Sequence, residues 1–104
     1  MVEKVSEPVI WIIDLQHWPR AHLRAELIEW GSEAVGYVTV AEALGVRSHP
    51  RMRKPRIIVV ELCEQQARHH ELQALVRFGI PVVVLGGLVE LSQESVRECE
   101  WAAV

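Results

Sequence analysis

Cysteine is scarce in this sequence, and no long apolar run occurs. The two cysteines, Cys63 and Cys99, lie far apart and form no CxxC pair. Neither a disulfide scaffold nor a zinc site of ordinary ligand spacing is therefore expected, and both read as small buried or half-buried thiols. The longest apolar runs reach five or six residues, far short of the ~20 that cross a bilayer. The opening MVEKVSEP has no long apolar segment and no small-residue cleavage site. The expected compartment is the cytoplasm, with no membrane partner. Neither sign of charge dominates: eleven Lys and Arg against fourteen Asp and Glu leave −3, which favours solubility and points to no polyanionic ligand. GxGxxG and Walker loops, internal repeats and low-complexity tails are all missing.

The five histidines do not form a metal motif. His17 and His22 are five apart, His69 and His70 are adjacent, and neither pair has HExxH or Cys/His spacing. They read as surface residues, and no metal or other cofactor is expected. Arg47–Arg56 holds five of the eleven basic residues. It has no interleaved aromatic and falls in an expected loop, so it reads as a solvated face and a nucleic-acid partner is not expected.

What is present is one domain's worth of chain, 104 residues, half of them apolar and 24% charged. Four segments read as strands: Pro8–Asp14, Ala34–Val40, Arg56–Leu62 and Ile80–Leu85. Aliphatic runs with so little polar alternation need cover on both faces, as in a central parallel sheet. The spacers have helical period. Leu23, Leu27 and Trp30 fall at i, i+4 and i+7, with Pro19 suited to a first turn and Gly31 to a stop. Val40, Ala43 and Leu44 suggest a short second helix. Leu72, Leu75, Val76 and Phe78 form a stripe opposite His69, Gln73 and Arg77. Ser92 can cap a last helix carrying Val96 and Cys99. Alternating strands and helices predict βαβ units in a three-layer α/β/α sandwich. Such folds bind ligands at the carboxyl ends of their strands, which singles out Asp14, Glu61 and Gly86. Of the four tryptophans, Trp11 is expected in the core, and Trp18, Trp30 and Trp101 at element ends.

These positions give the chain its resemblance to response-regulator receiver (CheY-like) domains. Val-Ile-Trp-Ile-Ile ending in Asp14, the helix Trp18–Trp30 running to Gly31, and Tyr37–Leu44 resemble that family's first strand, first helix and second strand–helix junction. Pro55–Leu62 is similar to its third strand, with Glu61 where the family carries its phosphoacceptor aspartate. Ile80–Gly87 is similar to its fourth, with Gly86 where a Thr or Ser would stand. The match spans about residues 8 to 104. It implies a flavodoxin-like sheet of order 2-1-3-4-5, with the last strand reduced to Trp101–Val104 and the fifth helix missing.

The resemblance also implies a degenerate site. A receiver needs a second acid beside Asp14, because Mg²⁺ demands oxygen ligands in near-octahedral array, and Leu15 stands there. It needs a hydroxyl and a lysine to neutralise a transferred phosphoryl group; Gly86 replaces the first, and the chain stops before the second. The implied role is a pseudo-receiver, a non-enzymatic interaction module in bacterial two-component-like signalling that acts without phosphorylation. Glu61 then either imitates the phosphorylated state or is a solvated relic beside Asp14. Two alternatives stay open: an active phosphoacceptor, or a small flavodoxin-like ligand-binding domain or enzyme. The expected partners are signalling proteins and a second copy of the chain, docked on a first helix whose Leu23, Leu27 and Trp30 are left uncovered.

Overall fold

Four aliphatic runs without polar alternation have to share one sheet, and they do. A computed structural model of the chain describes residues 8–62 and 65–85. The elements alternate as β1 Val9–Ile13, α1 His17–Glu29, β2 Glu33–Tyr37, α2 Val40–Val46, β3 Ile57–Glu61, α3 His69–Arg77 and β4 Val82–Leu85. The sheet is parallel throughout, in the order β2-β1-β3-β4. Expected and observed order agree over these four strands. Gly86, Cys63, Cys99, the helix expected after Ser92 and the short strand expected at Trp101 lie outside the described residues.

Register places Trp11 beside Val35 and Ile58, and Ile13 beside Tyr37 and Val60. On β3 and β4, Ile58 pairs with Val82 and Val60 with Val84. Side chains alternate across a strand, so Val9, Trp11, Ile13, Tyr37, Ile58, Val60, Val82 and Val84 share one face. Val40 and Ala43 of α2 and Leu72 and Leu75 of α3 close over it to form the core. Trp11 is almost wholly buried there, edge-on to Tyr37 at 5.1 Å and tilted against Phe78 at 5.6 Å. The opposite face carries Ile10, Ile12, Ala34, Gly36, Ile57, Val59, Val83 and Leu85, and α1 lies over its β1–β2 half.

The helix ends follow local chemistry. Gly31 (φ +91°) takes the left-handed position after α1. Its N–H donates to the Ile28 carbonyl, and the Ser32 N–H donates to Leu27, the Schellman arrangement that a glycine makes cheap. Thr39 caps α2 by accepting the Glu42 N–H at 3.1 Å. That cap ends β2 at Tyr37, three residues short of the Val40 expected, because Val40 opens the helix instead. Before α3, the Glu71 carboxylate accepts the Arg68 N–H at 2.9 Å.

The first helix corrects one expectation. Leu23 and Leu27 are half-buried against the sheet, not open to water. Trp30 is the open one, 83% exposed.

Candidate functional site

Asp14 follows β1 directly, and three hydrogen bonds fix its place. Its N–H continues the ladder by donating to the Tyr37 carbonyl at 3.0 Å. Its carbonyl accepts from Arg20 Nη1 at 2.6 Å. Its carboxylate Oδ1 accepts the Gln16 N–H at 2.9 Å, an Asx turn that swings the chain into α1. Glu61 is the half-buried last residue of β3. Ile13 and Val60 are register partners, so Asp14 and Glu61, each one residue later, stand at neighbouring strand ends, about 4.8 Å apart in backbone spacing. The structure thus brings the two sequence-picked carboxylates to the same edge. Leu15 is also there, 43% exposed. Gly86 follows β4, whose last residue Leu85 pairs with Glu61.

The residues present do not fit a magnesium ion well. Asp14 already uses one carboxylate oxygen on a main-chain N–H, the next side chain is a hydrocarbon, and among the described residues Glu61 is the other acid at this edge. A hard cation of octahedral demand finds too few oxygens in that set. Among the described residues, no group of three or more His, Cys, Asp or Glu comes together as a metal site. His17 and His22 flank Trp18, with ring centroids 5.2 and 6.5 Å from the indole.

Two residues that shape the site went unread in the sequence. Gln65, just after the third strand, spans two connections: its Nε2 donates to the Val38 carbonyl at 2.8 Å, and its Oε1 accepts the Val40 N–H at 3.2 Å. The loop that follows β3 is thereby tied to the β2–α2 junction. One glutamine of the Gln65-Gln66 pair in a polar stretch carries no sequence signal for this. Arg20 is the other. A signal for it existed in Gly36, a glycine inside a strand, which marks close approach by a neighbour. A Cβ there would lie 3.0 Å from Arg20 Cδ.

Tyr37, at the end of β2, has its phenol pKa pushed up, first by burial and then by the Glu42 carboxylate. It stays neutral at physiological pH. Two hollows lie near this edge: a groove of about 540 Å³ between α1 and β2, and a smaller one of about 150 Å³ bordered by Thr39, Gln65 and Glu71. Neither is lined by Asp14 or Glu61.

No protein-family model matches the sequence, and no curated protein matches it. Solved structures do. The beryllofluoride-activated NtrC receiver domain superposes with a TM-score of 0.72 at 12% identity, covering 95% of this chain and 79% of that one. A response regulator receiver protein from Pseudomonas putida superposes with a TM-score of 0.74 at 15% identity, covering 96% and 85%. With the parallel order β2-β1-β3-β4 and its helices on both faces, the chain has the CheY-like, flavodoxin-like fold of response-regulator receiver domains.

Proposed function

We propose that this chain is a pseudo-receiver: a regulatory module of bacterial two-component-like signalling that binds protein partners in the cytoplasm without being phosphorylated. The observation that carries this reading is the edge formed by Asp14, Leu15 and Glu61. By the resemblance, this edge corresponds to the family's acidic site, with a half-exposed leucine in place of a metal-binding acid and the longer Glu61 in place of an aspartate. Phosphoryl transfer depends on concentrated positive charge around the transferred group. Two carboxylates and a leucine supply none. No catalytic residue is assigned, and Glu61 is the phosphoacceptor-equivalent position only.

The partner surface includes a second copy of the chain. Trp30 at the end of α1, together with Ile57 and Leu85 on the half of the sheet that α1 does not reach, supports a two-fold contact on this flank. No described helix is long and apolar enough to cross a membrane.

Incubation with acetyl phosphate and Mg²⁺, followed by intact-mass measurement, tests the reading. An unchanged mass is expected. A stable gain of one phosphoryl group, lost in Glu61→Gln or Asp14→Asn, overturns it in favour of an active phosphoacceptor.

A further inference from the structure

The connector between α2 and β3 concentrates the positive charge of the chain. It holds Arg47, Arg51, Arg53, Lys54 and Arg56, five of the eleven basic residues, and no acid stands between the first and the last of them. All five are exposed. The segment is nevertheless anchored. The Arg47 N–H donates to the Leu44 carbonyl at 3.3 Å, His49 to Val46 at 2.9 Å and Met52 to His49 at 3.0 Å. The Arg51 N–H donates to His49 Nδ1 at 3.1 Å. Met52 packs against the core, Pro55 is fully buried, and the Arg56 N–H donates to the Val9 carbonyl at 2.9 Å. Turns and buried anchors alternate with the cations, so the charges stand on a fixed backbone and cost little ordering when a ligand binds.

The connector enters β3 at its amino end, where Arg53 forms an ion pair with Glu33, the first residue of β2. Because the strands are parallel, this rim lies at the opposite end of the sheet from Asp14 and Glu61. Both side chains of the pair are about half exposed, 51% and 45%, which makes the contact weak and open to exchange. An incoming carboxylate can take the place that Glu33 holds. Three features favour carboxylates over a nucleic acid. Arg53 already holds one, an anion that its planar guanidinium pairs with well. The stretch has no aromatic on which a base could stack. The whole chain is acidic, with a net charge of −3, whereas domains that bind nucleic acid are commonly basic overall.

We propose that residues 47–56 form a docking surface for an acidic peptide segment of a partner protein, with Glu33 as the internal competitor for Arg53. The proposal deepens the reading of the chain as a protein-binding module, on which it rests, by naming the chemistry of the partner and the rim that meets it. It does not depend on the state of Glu61. A phosphoryl group gained at the far edge would leave it standing, and loss of peptide binding would leave the mass measurement as it is.

Fluorescein-labelled octaglutamate, titrated with the full chain at low salt and read by anisotropy, is the probe. Saturable binding is expected, lost as salt rises to ~0.5 M. Arg51→Gln with Lys54→Gln should weaken it about fivefold or more, while Arg68→Gln with Arg77→Gln, an equal loss of charge at the two ends of α3, should not. The connector pair is exposed, so its thermal melt should match the parent; where it does not, the next comparison decides alone. Glu33→Gln should tighten binding about twofold or more by freeing Arg53, while Glu29→Gln, an equal change at the end of α1, should not. No saturable binding, equal loss in both basic pairs, or equal response of the two glutamate variants overturns the proposal. Tighter binding of single-stranded DNA of the same charge overturns it in favour of a nucleic acid. Co-sedimentation with phosphatidylserine vesicles without a response to octaglutamate overturns it in favour of a lipid surface.

Discussion

The two faces of the sheet are built from the same kinds of residue and end up in different states. On one, Trp11, Ile13, Ile58 and Val60 are at most 1% exposed beneath α2 and α3. On the other, Ile12 is buried under α1, but Ile57 on the next strand and Leu85 on the one beyond it remain more than a third exposed. The difference lies in the helices. α3 places Leu72 and Leu75 fully in the core. α1 has no fully buried residue: Leu23 and Leu27 are half-buried, and Arg20 and Arg24 beside them lie along β2 with their guanidinium groups on main-chain carbonyls. A strand sequence reports that both faces are apolar; only the covering helix decides how far each is dried.

The largest effect expected from this asymmetry is at the covered face. Trp11→Ala should cost about 3–5 kcal/mol, and Leu75→Ala about 2–5 kcal/mol, by urea unfolding. The half-buried Leu23 of α1 should lose less than half as much as Leu75 when cut to alanine. Equal losses at Leu23 and Leu75 would mean that the two faces are energetically alike and would break the comparison.

A smaller loss is expected where loops brace the covered face. Gln65→Ala removes both bonds of the amide clamp between Val38 and Val40, at about 1 kcal/mol each. Amide exchange should quicken at Val40, and the core strands should stay protected. Global loss of protection would show that the clamp holds more than its own junction.

Tyr37 sharpens the comparison through pH. It is the single tyrosine of the chain, it lies on the covered face, and its folded pKa is raised above the unfolded value near 10.0. Between those two values the folded state holds a proton that the unfolded state has lost. Stability is therefore complete below about pH 10 and falls as pH rises through the folded pKa. Urea midpoints of the parent should fall more steeply above about pH 10 than those of Tyr37→Phe. Parallel curves would remove burial of this phenol as a factor.

Much of this was legible in the residues and some was not. Runs such as Ile57–Val60 and Val82–Leu85 announce parallel strands because nothing polar interrupts them, and Gly31 marks the end of α1 because its left-handed φ is needed there. Asp14 and Glu61 could be picked as a pair because both end aliphatic strands that the topology sets side by side. The end of β2 was illegible, since Val38, Thr39 and Val40 look like strand until Thr39 is seen accepting the Glu42 N–H. The groove was illegible as well. Nothing in the sequence singles out Arg20 and Arg24 unless Gly36 is taken as the place where one of them lies down.

At the carboxylate edge, between the two faces, almost no stability change is expected. Asparagine at position 14 keeps an oxygen for the Gln16 N–H, and glutamine at position 61 keeps the length and one oxygen of the glutamate side chain. Asp14→Asn and Glu61→Gln should therefore unfold within about 0.5 kcal/mol of the parent. A loss above about 2 kcal/mol would identify the acids as structurally paired.

The smallest change in folding energy is expected at Trp30, and it tests the open face most directly. The indole is 83% exposed at the C-cap of α1, where truncation removes little packing, so Trp30→Ala should stay within about 0.5 kcal/mol of the parent at dilute concentration. The same exposure makes Trp30 a candidate anchor of a two-fold contact, since aromatic side chains dominate interface energies. Sedimentation of the parent near 100 µM, a concentration of ~10⁻⁴ M at which weak homodimers form, should show a dimer. Trp30→Glu should return it to monomer without moving the urea midpoint measured at low concentration. A monomeric parent would mean that the flank is used by a different partner or by none. A dimer that survives Trp30→Glu would move the contact to the Ile57–Leu85 half of the sheet, where Ile57→Lys becomes the variant that must dissociate it.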